Sequence, residues 1–191
     1  MNWFPDHNYI LASKSPRRQM LLKSLGIDFS VKVKDIEESY PQNLDKERIP
    51  VFLAEQKAKP FLNELSDKDL LITADTIVWI HDRVLGKPGS CEEAREMLSH
   101  LSGKSHKVIS GVCLSSCQKQ RSFCAVSDVH FKILSEKEID YYITVYKPFD
   151  KAGAYGIQEW IGYIGITHIE GSFYNVMGLP IQKLYNEILK F

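Results

Sequence analysis

Ser13-Lys14-Ser15-Pro16-Arg17-Arg18 puts two hydroxyls and two guanidinium groups directly after the apolar run Tyr9-Ile10-Leu11-Ala12. An apolar run followed by Ser-Pro predicts a strand, a tight turn and a helix start, with Ser15 as N-cap and Pro16 at the first helical position. Arginines in a first turn are electrostatically misplaced, because the unpaired N–H groups and the macrodipole already make that end positive. An anion resolves the conflict. Backbone N–H groups, the hydroxyls of Ser13 and Ser15 and the forks of Arg17 and Arg18 suit phosphate oxygens, and a polyphosphate better than a lone carboxylate. On that reading, removing either arginine should leave the unliganded fold as stable as before or slightly more so. From this segment alone, a solvated basic turn paired with surface acids is an equally open reading.

A second candidate is Asp75, within Leu70-Leu71-Ile72-Thr73-Ala74-Asp75-Thr76-Ile77-Val78-Trp79. A carboxylate amid a strand apolar on both sides is costly to bury unless a cation or donors compensate it. A strand acid can also be a hydrogen-bonded turn former. Lys57, on a preceding helix, and Lys87, in Gly86-Lys87-Pro88, could return to the same place, and Glu38 supplies a second acid. Carboxylates at Glu38 and Asp75 with lysines and arginines from other segments suit hydrolysis at a phosphate assisted by a hard cation. Glu38 and Asp75 would hold Mg²⁺ or Mn²⁺, and the basic side chains, Lys57 and Lys87 among them, would neutralise developing charge.

Strands and helices must alternate to position these groups. The first helix should turn Met20, Leu21 and Leu25 inward and stop at Gly26, followed by a strand Phe29 to Val33 and a loop with Asp35, Glu37 and Glu38. A helix from about Pro50 carries Lys57 until Pro60 kinks or restarts it, and a strand Leu70 to Ile80 is interrupted by Ala74-Asp75-Thr76. Ser90 with Glu93 and Ser135 with Glu138 predict capping boxes. Between them, strands around Lys107 to Leu114 and Phe123 to Phe131 form a hairpin. A glycine-rich stretch, Lys151 to Gln158, leads to a short apolar hairpin ending at Ile169 and a closing helix from Leu179. The pattern is α/β with a mixed sheet, in a single domain over 1–191.

The chain has 191 residues, 44% hydrophobic and 25% charged, with 24 basic and 24 acidic side chains. Zero net charge argues against nucleic-acid binding, which needs a basic face, so any anion site must be local. No apolar run is long enough to span a bilayer. Met1 to Asp6 has no basic region leading into an apolar one, so a cytoplasmic location is expected. Cys91, Cys113, Cys117 and Cys124 lack zinc-type spacing, and three of them fall in strand-like segments, where buried free thiols are expected. His106, His130 and His168 read as strand or loop residues.

Taken together, Leu11 to Arg18, Ala74-Asp75-Thr76, Gly86-Lys87-Pro88, Lys151-Ala152-Gly153-Ala154-Tyr155-Gly156-Ile157-Gln158 and Gly171-Ser172-Phe173-Tyr174-Asn175-Val176-Met177-Gly178-Leu179-Pro180 resemble the Maf family of nucleoside triphosphate pyrophosphatases. The resemblance spans nearly the whole chain and implies an elongated mixed β-sheet flanked by helices in two lobes. That fold is like the inosine triphosphate pyrophosphatases, with a nucleotide in the cleft between the lobes.

The resemblance further implies conversion of a nucleoside triphosphate and water to the monophosphate and pyrophosphate, with Asp75 as proton acceptor and Arg17, Thr76 and Gln158 setting base preference. The Ala154-Tyr155-Gly156-Ile157-Gln158 form of the late motif implies dTTP and UTP as substrates. A glutamine amide could pair with the O4 and N3–H edge of thymine or uracil. Lys14 stands where a small residue is common, and its side chain can point outward. A homodimer is also implied. The other reading is a nucleotide-sensing regulatory protein of septum formation, without turnover.

Overall fold

The computed structural model describes residues 3–191. The chain forms β1 (Asn8–Leu11), α1 (Pro16–Ser24), β2 (Phe29–Val31), α2 (Arg48–Ala58) continued by a 3₁₀ turn (Lys59–Glu64), β3 (Asp69–Ile80), β4 (Arg83–Leu85) and α3 (Cys91–Leu101). There follow β5 (Ser105–Ser115), β6 (Gln120–Phe131), α4 (Glu136–Tyr146), a 3₁₀ turn (Ala152–Ala154), α5 (Trp160–Gly165), β7 (Ile166–Glu170), α6 (Phe173–Val176) and α7 (Ile181–Leu189). The seven strands make a mixed sheet in the order β2-β1-β3-β5-β6-β7, with β4 on β3. β1 is parallel to β2 and β3, whereas β3–β4 and β6–β7 are antiparallel. Among the described residues no helix is long and apolar enough to cross a membrane.

The chain divides into two compact units. The first holds the chain up to Thr76 with Ser110–Ala125 and Gly178–Phe191, and the second holds Ile77–Ile109 and Val126–Met177. In the first unit, α2 packs on the sheet through Ala54 and Ala58, which are buried with Ile10, Leu71, Phe61 and Cys113. Two features bring it close. Thr73 Oγ1 donates to Ala54 O at 2.7 Å, and a Cβ on Gly111 would lie 2.3 Å from Pro50 C and Val51 N. Only glycine leaves room there for the start of α2.

In the second unit, Ser135 and Glu138 form the expected capping box. Ser90 caps Glu93 N–H at 3.2 Å, but the Glu93 carboxylate takes Gly89 N–H at 2.6 Å instead of closing the box on Ser90.

Several sequence expectations are corrected. β2 ends at Val31, since it lies at the sheet edge with one neighbour, and both Val31 and Val33 are exposed. α1 buries Leu21 and Leu22 while Met20 stays 53% exposed; at 100° per residue Met20 lies well away from the stripe of Leu21 and Leu25. β3 runs unbroken through Ala74-Asp75-Thr76. The expected hairpin ending at Ile169 is instead α5 followed by β7. Its glycines permit this: a Cβ on Gly162 would sit 1.9 Å from Ile157 O. All four cysteines are free, but only Cys113 is buried. Cys117 lies in the turn between β5 and β6, and Cys91 opens α3.

Candidate active site

In the first unit, β1 delivers its carboxyl end beside β3, with Leu11 opposite Ile72, and Ala12 N–H adds one more bond to Ile72 O at 2.9 Å. The chain then turns through Ser13-Lys14-Ser15 into α1. Ser13 Oγ accepts from Ser15 N–H at 3.2 Å, and Ser15 Oγ accepts from Arg18 N–H at 3.5 Å as N-cap. A hydroxyl that accepts keeps its proton for donation, so both serines retain an O–H for an anion. Lys14 points outward onto Asp35 at 2.7 Å. Arg17 is half-buried in the first helical turn.

Arg18 does something the sequence did not suggest. Its Nε donates to Gly178 O at 2.8 Å, Nη1 to Ala74 O at 2.8 Å and Nη2 to Thr76 Oγ1 at 3.1 Å. Thr76 Oγ1 also lies 2.8 Å from Ser110 Oγ and 3.3 Å from Gly178 O. One guanidinium fork thus ties α1 to β3 and to the chain entering α7. Gly178 accepts two of these bonds at a φ of +112°, a backbone that suits glycine. The expectation that Arg18 could be removed without loss of stability is therefore corrected: three hydrogen bonds across this network would be lost. Burial lowers the Arg18 pKa, and the Asp75 carboxylate opposes that shift.

Asp75 is buried on β3 next to the Arg18 attachment point at Ala74. Its Oδ1 receives Lys57 Nζ at 2.6 Å, and Glu38 Oε1 lies 2.8 Å from the same nitrogen. Glu38 comes from the exposed loop after β2, so two carboxylates from separate segments meet one ammonium. The Lys57 charge is what makes the buried carboxylate tolerable. Two carboxylates turned toward one point also fit Mg²⁺ or Mn²⁺, because such ions are commonly held by one or two carboxylates, waters and substrate phosphates. Among the described residues no cluster of three or more His, Cys, Asp or Glu forms a complete protein cage.

Ser13, Ser15, Arg17, Arg18, Glu38, Lys57, Asp75 and Thr76 all belong to the first unit, and Lys87 and Gln158 to the second. In the second unit, Lys87 is exposed in the loop after β4, which is anchored by Gly153 N–H to Gly86 O at 2.9 Å. Gln158 is half-buried, yet its Oε1 is wholly buried and has no hydrogen-bond partner. The neighbouring Tyr155 is buried against Phe131 and His106, with its hydroxyl 2.8 Å from His106 Nε2. Burial, aided by His130, pushes the His106 pKa down to about 3.

Sequence reasoning missed Gly111, whose only signal was a glycine inside an apolar strand, a sign of close backbone approach. It also missed Ser110 and the network around Tyr142 and Glu159, whose partners are distant in sequence.

Residues 8–191 match the Maf-like protein family. A dTTP/UTP pyrophosphatase of Bacteroides thetaiotaomicron is 56% identical over 185 residues, covering 96% of this chain and 96% of that protein. The dTTP/UTP pyrophosphatase of Porphyromonas gingivalis strain W83 is 52% identical over 188 residues, covering 97% and 94%. Among solved structures, the Staphylococcus aureus Ham1 protein aligns with a TM-score of 0.44 at 15% identity, over 65% of this chain and 71% of that one, a partial likeness from which no function follows. With a family match from the first strand to the last residue, and relatives of this identity along nearly the whole length, the chain belongs to the Maf family.

Proposed function

We propose that this protein hydrolyses dTTP and UTP to the monophosphate and pyrophosphate, with Asp75 accepting the proton of the attacking water. The observation that carries the reading is the buried Asp75 carboxylate, 2.6 Å from Lys57, on the strand that Arg18 fastens to the Ser13–Arg18 turn. Water oxygen bonds to the α-phosphorus, the bond from that phosphorus to the bridging oxygen of pyrophosphate breaks, and the water proton passes to Asp75. Ser13, Ser15 and the first turn of α1 donate to phosphate oxygens. Arg17, Lys57 and Lys87 offset the charge that develops on the leaving pyrophosphate. The role for Arg18 is narrower than its sequence position implied: its fork is committed to Ala74, Thr76 and Gly178, so it acts on phosphate by holding the turn.

Glu38 and Asp75 are the residues that would hold Mg²⁺ or Mn²⁺, with the Lys57 ammonium giving way. Bound there, the ion would polarise phosphate oxygens. Gln158, with Arg17 and Thr76, sets base preference; the Thr76 hydroxyl does so from within the Arg18 network. The buried and unpartnered Oε1 of Gln158 supports this reading, since it suits the N3–H donor shared by thymine and uracil. Modified uridine triphosphates carrying that donor fall within the same substrate class. A cytoplasmic homodimer completes the proposal, and light scattering after gel filtration checks the dimer.

A nucleotide sensor without turnover is the disfavoured alternative. The two separate on pyrophosphate release from dTTP and UTP with Mg²⁺ or Mn²⁺. Steady multiple turnover is expected, and binding without release would sink the enzyme reading.

A further inference from the structure

Gly156-Ile157-Gln158-Glu159 is a tight turn in the second unit, closed by Glu159 N–H donating to Gly156 O at 3.0 Å, with Gln158 at its second central position. Tyr142, fully buried on α4, staples both ends of that turn. Its hydroxyl accepts from Gly156 N–H at 2.9 Å and donates to Glu159 Oε2. Glu159 Oε1 is fixed in turn by Lys151 Nζ at 3.1 Å, and the same ammonium reaches Asp150 Oδ1 at 2.7 Å. Burial and the Glu159 carboxylate hold the Tyr142 phenol far above its usual pKa, so it remains a donor.

The fit is close. A Cβ on Gly156 would lie 2.8 Å from Glu159 Cδ, and Gln158 O is taken by the Tyr163 hydroxyl at 2.5 Å. Within this stapled turn the Gln158 Oε1 is buried without a partner. An orphaned buried oxygen is destabilising, and a network that fixes its surroundings keeps it from turning to a protein donor.

We propose that Tyr142 and Glu159 are positioning residues for base selection, holding the 156–159 turn so that Gln158 Oε1 stays reserved for the N3–H of thymine or uracil. This rests on the reading of Gln158 given above. The donor matters because cytosine presents an acceptor at the same place, and a site built for a donor rejects a base that lacks it.

The test compares kcat/KM for dTTP and CTP in wild type, Gln158→Ala, Tyr142→Phe, Glu159→Gln and the Tyr142→Phe/Gln158→Ala double variant. Tyr142→Phe removes the hydroxyl and with it both bonds that hold the turn, which should narrow the dTTP:CTP ratio about three- to tenfold, through dTTP. Glu159→Gln should narrow it in the same direction. In the Gln158→Ala background, Tyr142→Phe should change the ratio by less than about twofold, the sign of one shared pathway.

An unchanged ratio in folded Tyr142→Phe and Glu159→Gln, beside a narrowed one in Gln158→Ala, overturns the positioning role alone. Full additivity in the double variant does the same. An unchanged ratio in Gln158→Ala overturns the base reading, and this proposal with it. Near-UV circular dichroism establishes folding, and if Tyr142→Phe does not fold, Glu159→Gln decides.

Discussion

The polar cluster around Asp75 and the turn that carries Gln158 handle burial in opposite ways. In the first, charge answers charge: Asp75 and Glu38 share the Lys57 ammonium, and Arg18 spends all three faces of its fork on neighbouring backbone and Thr76. In the second, the ionised groups Glu159, Lys151 and Asp150 are also matched, yet one neutral amide oxygen is left over. The difference follows from magnitude. A buried charge without a partner is far more costly than a buried amide oxygen without one, so only a neutral group can wait for its ligand. A charged site needs an internal surrogate partner that the ligand displaces.

The sharpest way to break this contrast is Asp75→Asn. Asparagine keeps the shape but neither accepts the water proton nor serves as a carboxylate ligand, so turnover should fall about 10²- to 10⁴-fold with the fold retained. Steady-state kinetics beside a thermal melt checks both halves. Activity within a few-fold of wild type would remove Asp75 from the chemistry.

Arg18 is next in size. Arg18→Ala removes the three bonds to Ala74 O, Gly178 O and Thr76 Oγ1, which should destabilise the protein by about 3 kcal/mol. Arg18→Lys keeps the charge but not the fork, and should recover less than half of that loss. Urea unfolding of both variants separates an architectural arginine from a purely phosphate-binding one.

Gln158→Ala should shrink the dTTP:CTP preference about five- to a hundredfold, each mismatched buried group being worth about 1–3 kcal/mol. Unliganded stability should hold or rise slightly, since an orphaned oxygen is removed. A clear loss of stability would mean that Gln158 is a structural residue like Arg18.

A smaller effect assigns an acid sensitivity to the second unit. Unfolded His106 takes a proton as pH falls through about 6.5, whereas the buried ring resists until about 3. The unfolded state therefore binds more protons between these values, and stability declines as pH falls, by about 1.4 kcal/mol per unit at most. Urea midpoints at pH 7 and 5 should show the decline in wild type, and His106→Gln should flatten it.

How much of this was legible in the sequence depended on range. Ser15 capping α1, Pro16 at its start and the Ser135–Glu138 box are written within four residues, and the structure repeats them. The outward Lys14 followed from the family resemblance, whereas its partner Asp35, 21 residues on, did not. Arg18 looked like a phosphate ligand because its local setting is a helix N-terminus, but its partners lie 56, 58 and 160 residues away, beyond any local pattern. Trp160 to Gly165 read as strand because aromatic and β-branched residues dominate it. Close approach at Gly162 and Gly165 lets it coil into α5 instead. The acids and lysine were legible as residue types, whereas the docking of α2 on Gly111, which sets where Lys57 starts from, was not.

The most direct test of the proposed chemistry is hydrolysis of dTTP in ¹⁸O-labelled water with Mg²⁺ present, with the products analysed by mass spectrometry. Attack at the α-phosphorus predicts one label in dTMP and none in the released pyrophosphate. Label in pyrophosphate or inorganic phosphate, or dTTP bound and recovered unchanged, would contradict the account.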